Sequence, residues 1–478
     1  MKIIGRKREI RELDHYVETD KSEFIVVYGR RRVGKTFLIR EYFNNEFAFQ
    51  VTGIHDGSKE MQLANFGMAL GKYFGTRSLP RTWLDAFSML QKGLDEQKTE
   101  GKKVVFIDEM PWMETQKSDF LRAFEAFWNG YAAWTHDILL IVCGSATTWL
   151  TDNILNNIGG LYNRCTGRLF LKPFSLGETE EYLKDRNILW SRYDIIELYM
   201  VMGGIPFYLS QLDQSMTLAK NIDDIFFKER GKLWNEFNNL YVTLFKNADA
   251  HIKVAEALAS KKMGLTKSEI SELTGLPCNG VLTKILDNLE GSGFVRSYVY
   301  FGNKKKETTY QLADYYTLFY YRFLKDSKRA ENYWENSLDN PSRLAWAGYS
   351  FEQVCKDHLS AIRKKLGISG VLCEHSSWFS KGDVDSGEVR RGCQIDLVID
   401  RRDRVINICE MKFSRNEYVI DKNYDMNLRH KIGQFQRETK TRKAIQLTFV
   451  SPYGLKRGMY SSTAQSEVNA EDLFTSES

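Results

Sequence analysis

Phe24-Ile25-Val26-Val27-Tyr28-Gly29-Arg30-Arg31-Arg32-Val33-Gly34-Lys35-Thr36 is the stretch on which the fold turns. Its first five residues read as a buried strand. Gly29–Thr36 matches G-x-x-x-x-G-K-[ST] in full, and a helical pattern over Thr36–Phe43 follows. The glycines let backbone N–H groups wrap phosphate oxygens, and the helix N-terminus adds the positive end of its dipole. Gly29, Arg30, Arg31, Arg32, Val33, Gly34, Lys35 and Thr36 are therefore the expected ATP-binding loop, with Lys35 on the β- and γ-phosphates and Thr36 on Mg²⁺.

Working outward, Phe47–Val51, Val104–Ile107 and Ile138–Val142 are further short apolar runs rich in β-branched and aromatic residues. Helical patterns such as Asp119–Asn129 separate them, which predicts an α/β fold, a parallel sheet with helices on both faces. Val104–Ile107 ends in Asp108-Glu109: Asp108 is expected to hold the metal through water, and Glu109 to orient and deprotonate the attacking water. The next strand ends in Cys143-Gly144-Ser145. Ser145 there either touches the γ-phosphate or the water, or merely turns the chain at a strand end.

A chain of 478 residues has room for about three domains, and 43% hydrophobic with 27% charged residues excludes wholesale disorder. No apolar run approaches the roughly 18 residues of a membrane span. The opening Met1–Arg8 turns charged at once, so no signal peptide is expected. Seven scattered cysteines without a C-x-x-C pair fit a reduced, cytoplasmic setting, and the histidines lack metal spacing. A net charge of +5 permits a nucleic-acid partner without demanding one.

The pattern divides the chain into a P-loop core (1–172), a helical lid (173–247), a winged helix-turn-helix (248–313) and a C-terminal domain (314–478). In the third part, Thr266 and Glu269 have capping-box spacing, Thr274–Pro277 breaks the helix, and Asn279–Glu290 reads as a second helix. Strands over Phe294–Phe301 and Glu307–Leu312 flank Gly302–Lys306. Asn279, Thr283, Lys284 and Asn288 could face DNA, with Lys304–Lys306 at the hairpin tip on phosphate; the same motif also serves protein contacts. Tyr315–Phe323 reads as a core helix, and Lys325–Arg343 as a polar, partly mobile connector.

Gly5-Arg6-Lys7-Arg8-Glu9, the Gly29–Thr36 loop, Phe106-Ile107-Asp108-Glu109, Gly144-Ser145, Leu161–Arg168 and Gly203-Gly204-Ile205-Pro206-Phe207-Tyr208-Leu209 occur in one order over residues 1–235. Together they resemble the archaeal-type P-loop ATPases, relatives of AAA+ and STAND proteins. The resemblance implies that Gly5-Arg6 borders the adenine pocket and that Gly203–Leu209 lies in a helical lid. It also implies that Arg164 and Arg168 are candidate arginine fingers, each worth roughly 10³–10⁵ in rate if correctly placed. A finger acting in trans would make the working form a homo-oligomer; the alternative is that each is a surface or ion-paired arginine.

A second constellation is spread over the C-terminal part. Asp396 lies in the strand-like Gln394–Ile399, and Glu410 and Lys412 stand two apart in Ile408–Phe413, on one strand face. Glu352 lies earlier, on a helix around Tyr349–Leu366. Carboxylates of this kind gather divalent ions that polarise a phosphodiester, and a neighbouring lysine positions the water. The set resembles the PD-(D/E)xK nuclease superfamily, although Ile395 stands where that pattern has proline. The resemblance implies Asp396 and Glu410 as Mg²⁺ ligands with the Met411 carbonyl, Lys412 as catalytic lysine and Glu352 as supporting acid. Arg390, Arg391, Arg401, Arg402, Arg404 and Arg415 could hold a DNA backbone beside them, or form a solvated rim.

The expectation is an ATPase that drives or regulates DNA binding and metal-dependent phosphodiester cleavage. The alternatives are a STAND-like nucleotide switch with an inert nuclease-like fold, and a translocase or loader resembling origin-recognition ATPases.

Overall fold

The apolar runs around the glycine-rich loop become five strands: β1 (Glu23–Tyr28), β2 (Phe49–Thr52), β3 (Lys103–Asp108), β4 (Ile138–Gly144) and β5 (Gly167–Phe170). All neighbouring pairs are parallel and the order is β2-β3-β4-β1-β5, so the expected parallel α/β sheet is the one observed. The computed structural model describes residues 2–475 apart from Lys117, Ala146, 157–158, Lys246, 304–307, 326–330 and 386–387. Every residue of β4 is buried, and β1 is buried up to Tyr28, which is why both read as unbroken apolar runs. β5 escaped the sequence reading because it is a four-residue edge strand with Arg168 exposed at its centre.

Aromatic side chains fill one face of this sheet. Phe66, Trp83, Phe87, Phe120 and Phe124 come from helices Lys59–Phe74, Trp83–Glu96 and Phe120–Gly130, with Trp83 and Phe120 edge-on at 4.7 Å. Burying each ring contributes about 1.5–3 kcal/mol relative to exposure, the main force holding helices to sheet.

The chain forms two compact units, Met1–Pro173 with Asp287–Gly293, and Phe174–Leu286 with Phe294–Ser478. The second unit contains helices Leu176–Asp185 and Arg192–Met202, a helix–turn–helix segment and a C-terminal sheet, built around the aromatic helix Tyr315–Phe319. Tyr315 meets Tyr199 at 5.2 Å, Tyr316 meets Tyr208 at 5.4 Å, and Phe319 meets Phe226 at 5.4 Å and Trp334 at 5.3 Å. Those contacts tie the helices of residues 174–247 to the segment that follows Asp314. Within the connector Lys325–Arg343, residues 326–330 lie outside the described residues. Trp334, however, is fully buried and Arg343 stacks on it at 3.9 Å while pairing with Glu197. Two anchors in a polar stretch outweigh its composition.

The helix–turn–helix segment runs through helix Ala248–Ala259, β6 (Leu265–Thr266), helix Lys267–Thr274, helix Gly280–Gly291, β7 (Val295–Tyr298) and β8 (Thr309–Leu312), with antiparallel order β6-β8-β7. The capping box at Thr266 and Glu269 is made in both directions, and Gly275 closes that helix at φ 71°. The last sheet holds β9 (Cys373–Asp385), β10 (Glu388–Arg401), β11 (Val405–Met411), β12 (Ala444–Val450) and β13 (Ser466–Val468), in the order β13-β12-β11-β10-β9. β9, β10 and β11 are antiparallel and β11, β12 and β13 parallel, with helix Pro341–Asp357 before the sheet and Lys422–Thr439 ahead of β12. Among the described residues no helix is long and apolar enough to cross a membrane.

Candidate functional sites

In the first unit the chain leaves β1 at Gly29 with φ 137°, a conformation that favours glycine; a Cβ there would also overlap the Leu171 carbonyl. Gly34, at φ 90°, hands the loop to helix Lys35–Tyr42. The Lys35 ammonium is buried inside the loop and donates to the Gly29 and Arg30 carbonyls at 3.0 and 2.9 Å. The Thr36 hydroxyl donates to the Asp108 carboxylate at 3.0 and 3.2 Å, joining the loop to the end of β3. Arg6, at φ 57°, donates to the Val33 carbonyl at 2.9 Å and the Lys172 carbonyl at 2.7 Å, which pins the Gly5-Arg6 segment against the loop.

Glu109 adopts φ 47°, an uncommon left-handed turn for a non-glycine residue. Its Oε2 accepts from the Ser145 backbone N–H at 3.1 Å and from the Ser145 hydroxyl at 3.0 Å. Of the two roles open to Ser145, the structure thus shows a contact with the carboxylate expected to act as base. Burial pushes the Glu109 carboxyl up from its ordinary value, and the Lys35 charge only partly offsets this. Oxygen donors Thr36 and Asp108 side by side suit a Mg²⁺ ion brought by a nucleotide. Arg164 is exposed ahead of β5, and the exposed Arg168 donates to the Leu155 carbonyl at 3.2 Å.

The Gly203–Leu209 motif follows helix Arg192–Met202. Gly204 lies so close to the Phe174 carbonyl that a Cβ would overlap it, and Tyr199 also donates to that carbonyl at 2.8 Å. In the helix–turn–helix segment Asn279 and Lys284 are exposed, whereas the half-buried Thr283 accepts from Lys267 at 2.5 Å. Lys304–Lys306 lie outside the described residues. The base of that hairpin packs on the C-terminal part: Arg296 pairs with Asp357 at 2.7 Å, Phe301 N–H donates to the Ser377 carbonyl at 2.8 Å, and Tyr300 meets Phe379 at 4.8 Å.

At the C-terminal site, Leu397 on β10 pairs with Cys409 on β11, and Asp396 and Glu410 each stand one residue beyond that pair. The β9–β10 register shifts between Ile395 and Val398, a bulge that re-aims the Asp396 position. Gln394 donates to Asp396 at 2.5 Å. Burial and then the nearby Asp396 charge push the Glu352 carboxyl up to about 8, although Lys356 and Lys412 pull the other way. Glu410 is held differently. Its Oε1 accepts from the Tyr424 hydroxyl at 2.5 Å and lies 3.1 Å from Lys412 Nζ, while Oε2 accepts from Lys431 Nζ at 2.8 Å. Burial works to raise the Glu410 carboxyl, but Lys431 and Lys412 more than offset it and hold it below its ordinary value.

Among the described residues no three His, Cys, Asp or Glu side chains come together to hold a metal ion. The donor chemistry of Glu352 beside Asp396, two hard oxygen ligands of like charge, nonetheless fits a divalent cation; Glu410 joins them only by giving up a donor. Tyr424, Lys431 and Lys356 were missed in the sequence. Their signal was spacing: Tyr424 and Lys431 stand seven apart, two helical turns, and Lys356 follows Glu352 by one turn.

The arginines do not gather at the acids. Arg401, Arg402 and Arg404 sit at the β10–β11 turn, five or more strand residues or roughly 15–20 Å from Asp396 and Glu410, and Arg401 pairs with Asp403. Arg415 pairs with Asp339 at 3.0 Å, Arg391 is exposed, and the Arg390 side chain lies outside the description.

Residues 3–212 match the family described as an ATPase domain predominantly from Archaea. A protein of Methanocaldococcus jannaschii, itself uncharacterized, is 24% identical over 386 residues, 80% of this chain and 82% of its own. Among solved structures, a Walker-type ATPase of Pyrococcus abyssi gives a TM-score of 0.46 at 18% identity, over 67% of this chain and 96% of that one. The ORC2 protein of Aeropyrum pernix, in ADPNP–ADP complexes, gives 0.42 at 13% identity, over 67% and 93%.

Proposed function

We propose, from the premise that residues 3–212 are an archaeal-type ATPase domain, that the chain binds ATP with Mg²⁺ on Gly29–Thr36 and hydrolyses it. The observation that carries this reading is the pairing at the loop, Thr36 on Asp108 and Ser145 on Glu109, each at 3.0 Å. Bound Mg²⁺ would neutralise charge developing on the phosphates. Lys35 exchanges its two carbonyl partners for phosphate oxygens. Glu109, whose proton affinity burial has raised, accepts the proton of the attacking water, and Ser145 keeps its carboxylate aimed. Arg164 or Arg168 serves as the finger, from the same chain or from a second copy.

The finer reading is that ATP turnover regulates an activity on DNA. Asn279 and Lys284, with Lys304–Lys306, would touch the duplex. Asp396, Glu410 and the Met411 carbonyl would hold Mg²⁺, with Lys412 placing the water and Glu352 in support, for phosphodiester cleavage. A second reading, a nucleotide switch whose nuclease-like fold only binds, draws on one observation: Glu410 is already neutralised by Lys431 and Lys412.

The test is ATP turnover and Mg²⁺- or Mn²⁺-dependent oligonucleotide cleavage in four proteins. Lys35→Ala loses nucleotide binding; Glu109→Gln keeps binding and loses about 10²–10⁴ in turnover. Glu410→Ala keeps ATPase activity and loses cleavage. Normal turnover in Lys35→Ala rejects the ATP site, and absence of cleavage in the native chain under every condition selects the switch.

A further inference from the structure

Both oxygens of Glu410 are occupied, and the two lysines on them are not equivalent. Lys412, from the E-x-K motif itself, is 37% exposed and sits at 3.1 Å. Lys431 comes from outside the motif, on helix Lys422–Thr439, and its side chain is only 17% exposed at 2.8 Å from Oε2. Tyr424, two turns earlier on the same helix, supplies the short bond to Oε1. One helix face thus grips a carboxylate that is 5% exposed. At 2.8 Å the ammonium fills the space in which Oε2 would meet a metal, and two cations sharing one buried oxygen repel strongly.

We propose that Lys431 is a resident counter-cation of Glu410 and a positioning residue of the acid site, so that a divalent cation binds Glu410 only in exchange for the Lys431 ammonium. The inference rests on the reading of Asp396 and Glu410 as metal ligands. It adds a property that the motif does not contain. The displaced ammonium must find another anion, and a phosphodiester oxygen is the anion a nucleic-acid substrate brings. Metal and nucleic acid therefore bind cooperatively, and the resting chain holds metal weakly.

The experiment is Mn²⁺ titration of the full chain without nucleotide, read by the loss of the free-ion paramagnetic signal, with circular dichroism as the folding control. Lys431→Gln is expected to bind Mn²⁺ about tenfold or more tightly than the native chain, because the buried carboxylate has lost its competing cation. Lys431→Arg, which keeps the charge, stays at the native affinity. The gain disappears when Glu410→Gln is added to Lys431→Gln, and Lys431→Met substitutes if the glutamine variant folds poorly. A single-stranded oligonucleotide raises Mn²⁺ affinity in the native chain but not in Lys431→Gln. Mn²⁺ binding that depends on Asp396 yet is unchanged or weaker in Lys431→Gln and Lys431→Met overturns the exchange and leaves the metal reading standing. No Asp396-dependent Mn²⁺ binding in any of these proteins overturns both.

Discussion

Glu352 lies one helical turn before Lys356 with Asp396 nearby, and its carboxyl is pushed up to about 8 by burial and then by the Asp396 charge. A carboxyl raised in the folded chain binds a proton that the unfolded chain has already released. Stability therefore falls as pH rises from the ordinary carboxylate range toward 8, by about 1.4 kcal/mol per pH unit at most for one group. Replacing it as Glu352→Gln removes that loss: urea midpoints of variant and native chain should converge near pH 4 and separate at pH 8 in the variant's favour. Equal midpoints at pH 8 would deny that burial and Asp396 raise this carboxyl. The nucleotide loop was legible at this scale because thirteen consecutive residues carry both the backbone turn and the chemistry. The partners of Glu410 were not, since Tyr424 and Lys431 reach it across the sheet from a helix whose sequence is mostly polar.

Among the elements, strands buried on both faces announced themselves, while of the edge strands only β2 and β7 did. Val104–Ile107 and Ile138–Val142 were read within a residue or two at each end, while β5, β6, β9 and β13 went unread. β9 carries Glu374, His375, Ser376, Ser377 and Lys381, a composition that hides a strand paired along one side. Resemblance placed Gly203–Leu209 in a helical lid but did not mark the helix break at Gly203-Gly204, whose physical basis is a backbone approach. Phe174 N–H donates to the Gly204 carbonyl at 2.7 Å, and a Cβ on Gly204 would meet the Phe174 carbonyl. Gly204→Ala should therefore cost about 1–3 kcal/mol by forcing the two segments apart. Urea unfolding followed by tryptophan fluorescence would show it, and an unchanged midpoint would mean that the backbone at Gly204 shifts freely.

At the scale of the whole molecule, the sequence divided the chain by composition, whereas packing divides it by shared core. The aromatic helix Tyr315–Phe319 packs on Tyr199 as well as on Trp334, and residues 174–286 and 294–478 form one unit. No local pattern announces a core assembled from segments a hundred residues apart. The hairpin bond from Phe301 to Ser377, with Tyr300 against Phe379, has a consequence for handling the protein. β9 is the outermost strand of its sheet, and that hairpin covers part of its free hydrogen-bonding side. A fragment of residues 314–478 would expose the strand as a template for edge-to-edge pairing. Such a fragment should sediment as oligomers or precipitate, while one spanning 174–478 stays monodisperse at the same concentration. A monomeric 314–478 fragment would show that the strand guards its own edge; an aggregating one makes the hairpin a solubility device first, whatever else it touches.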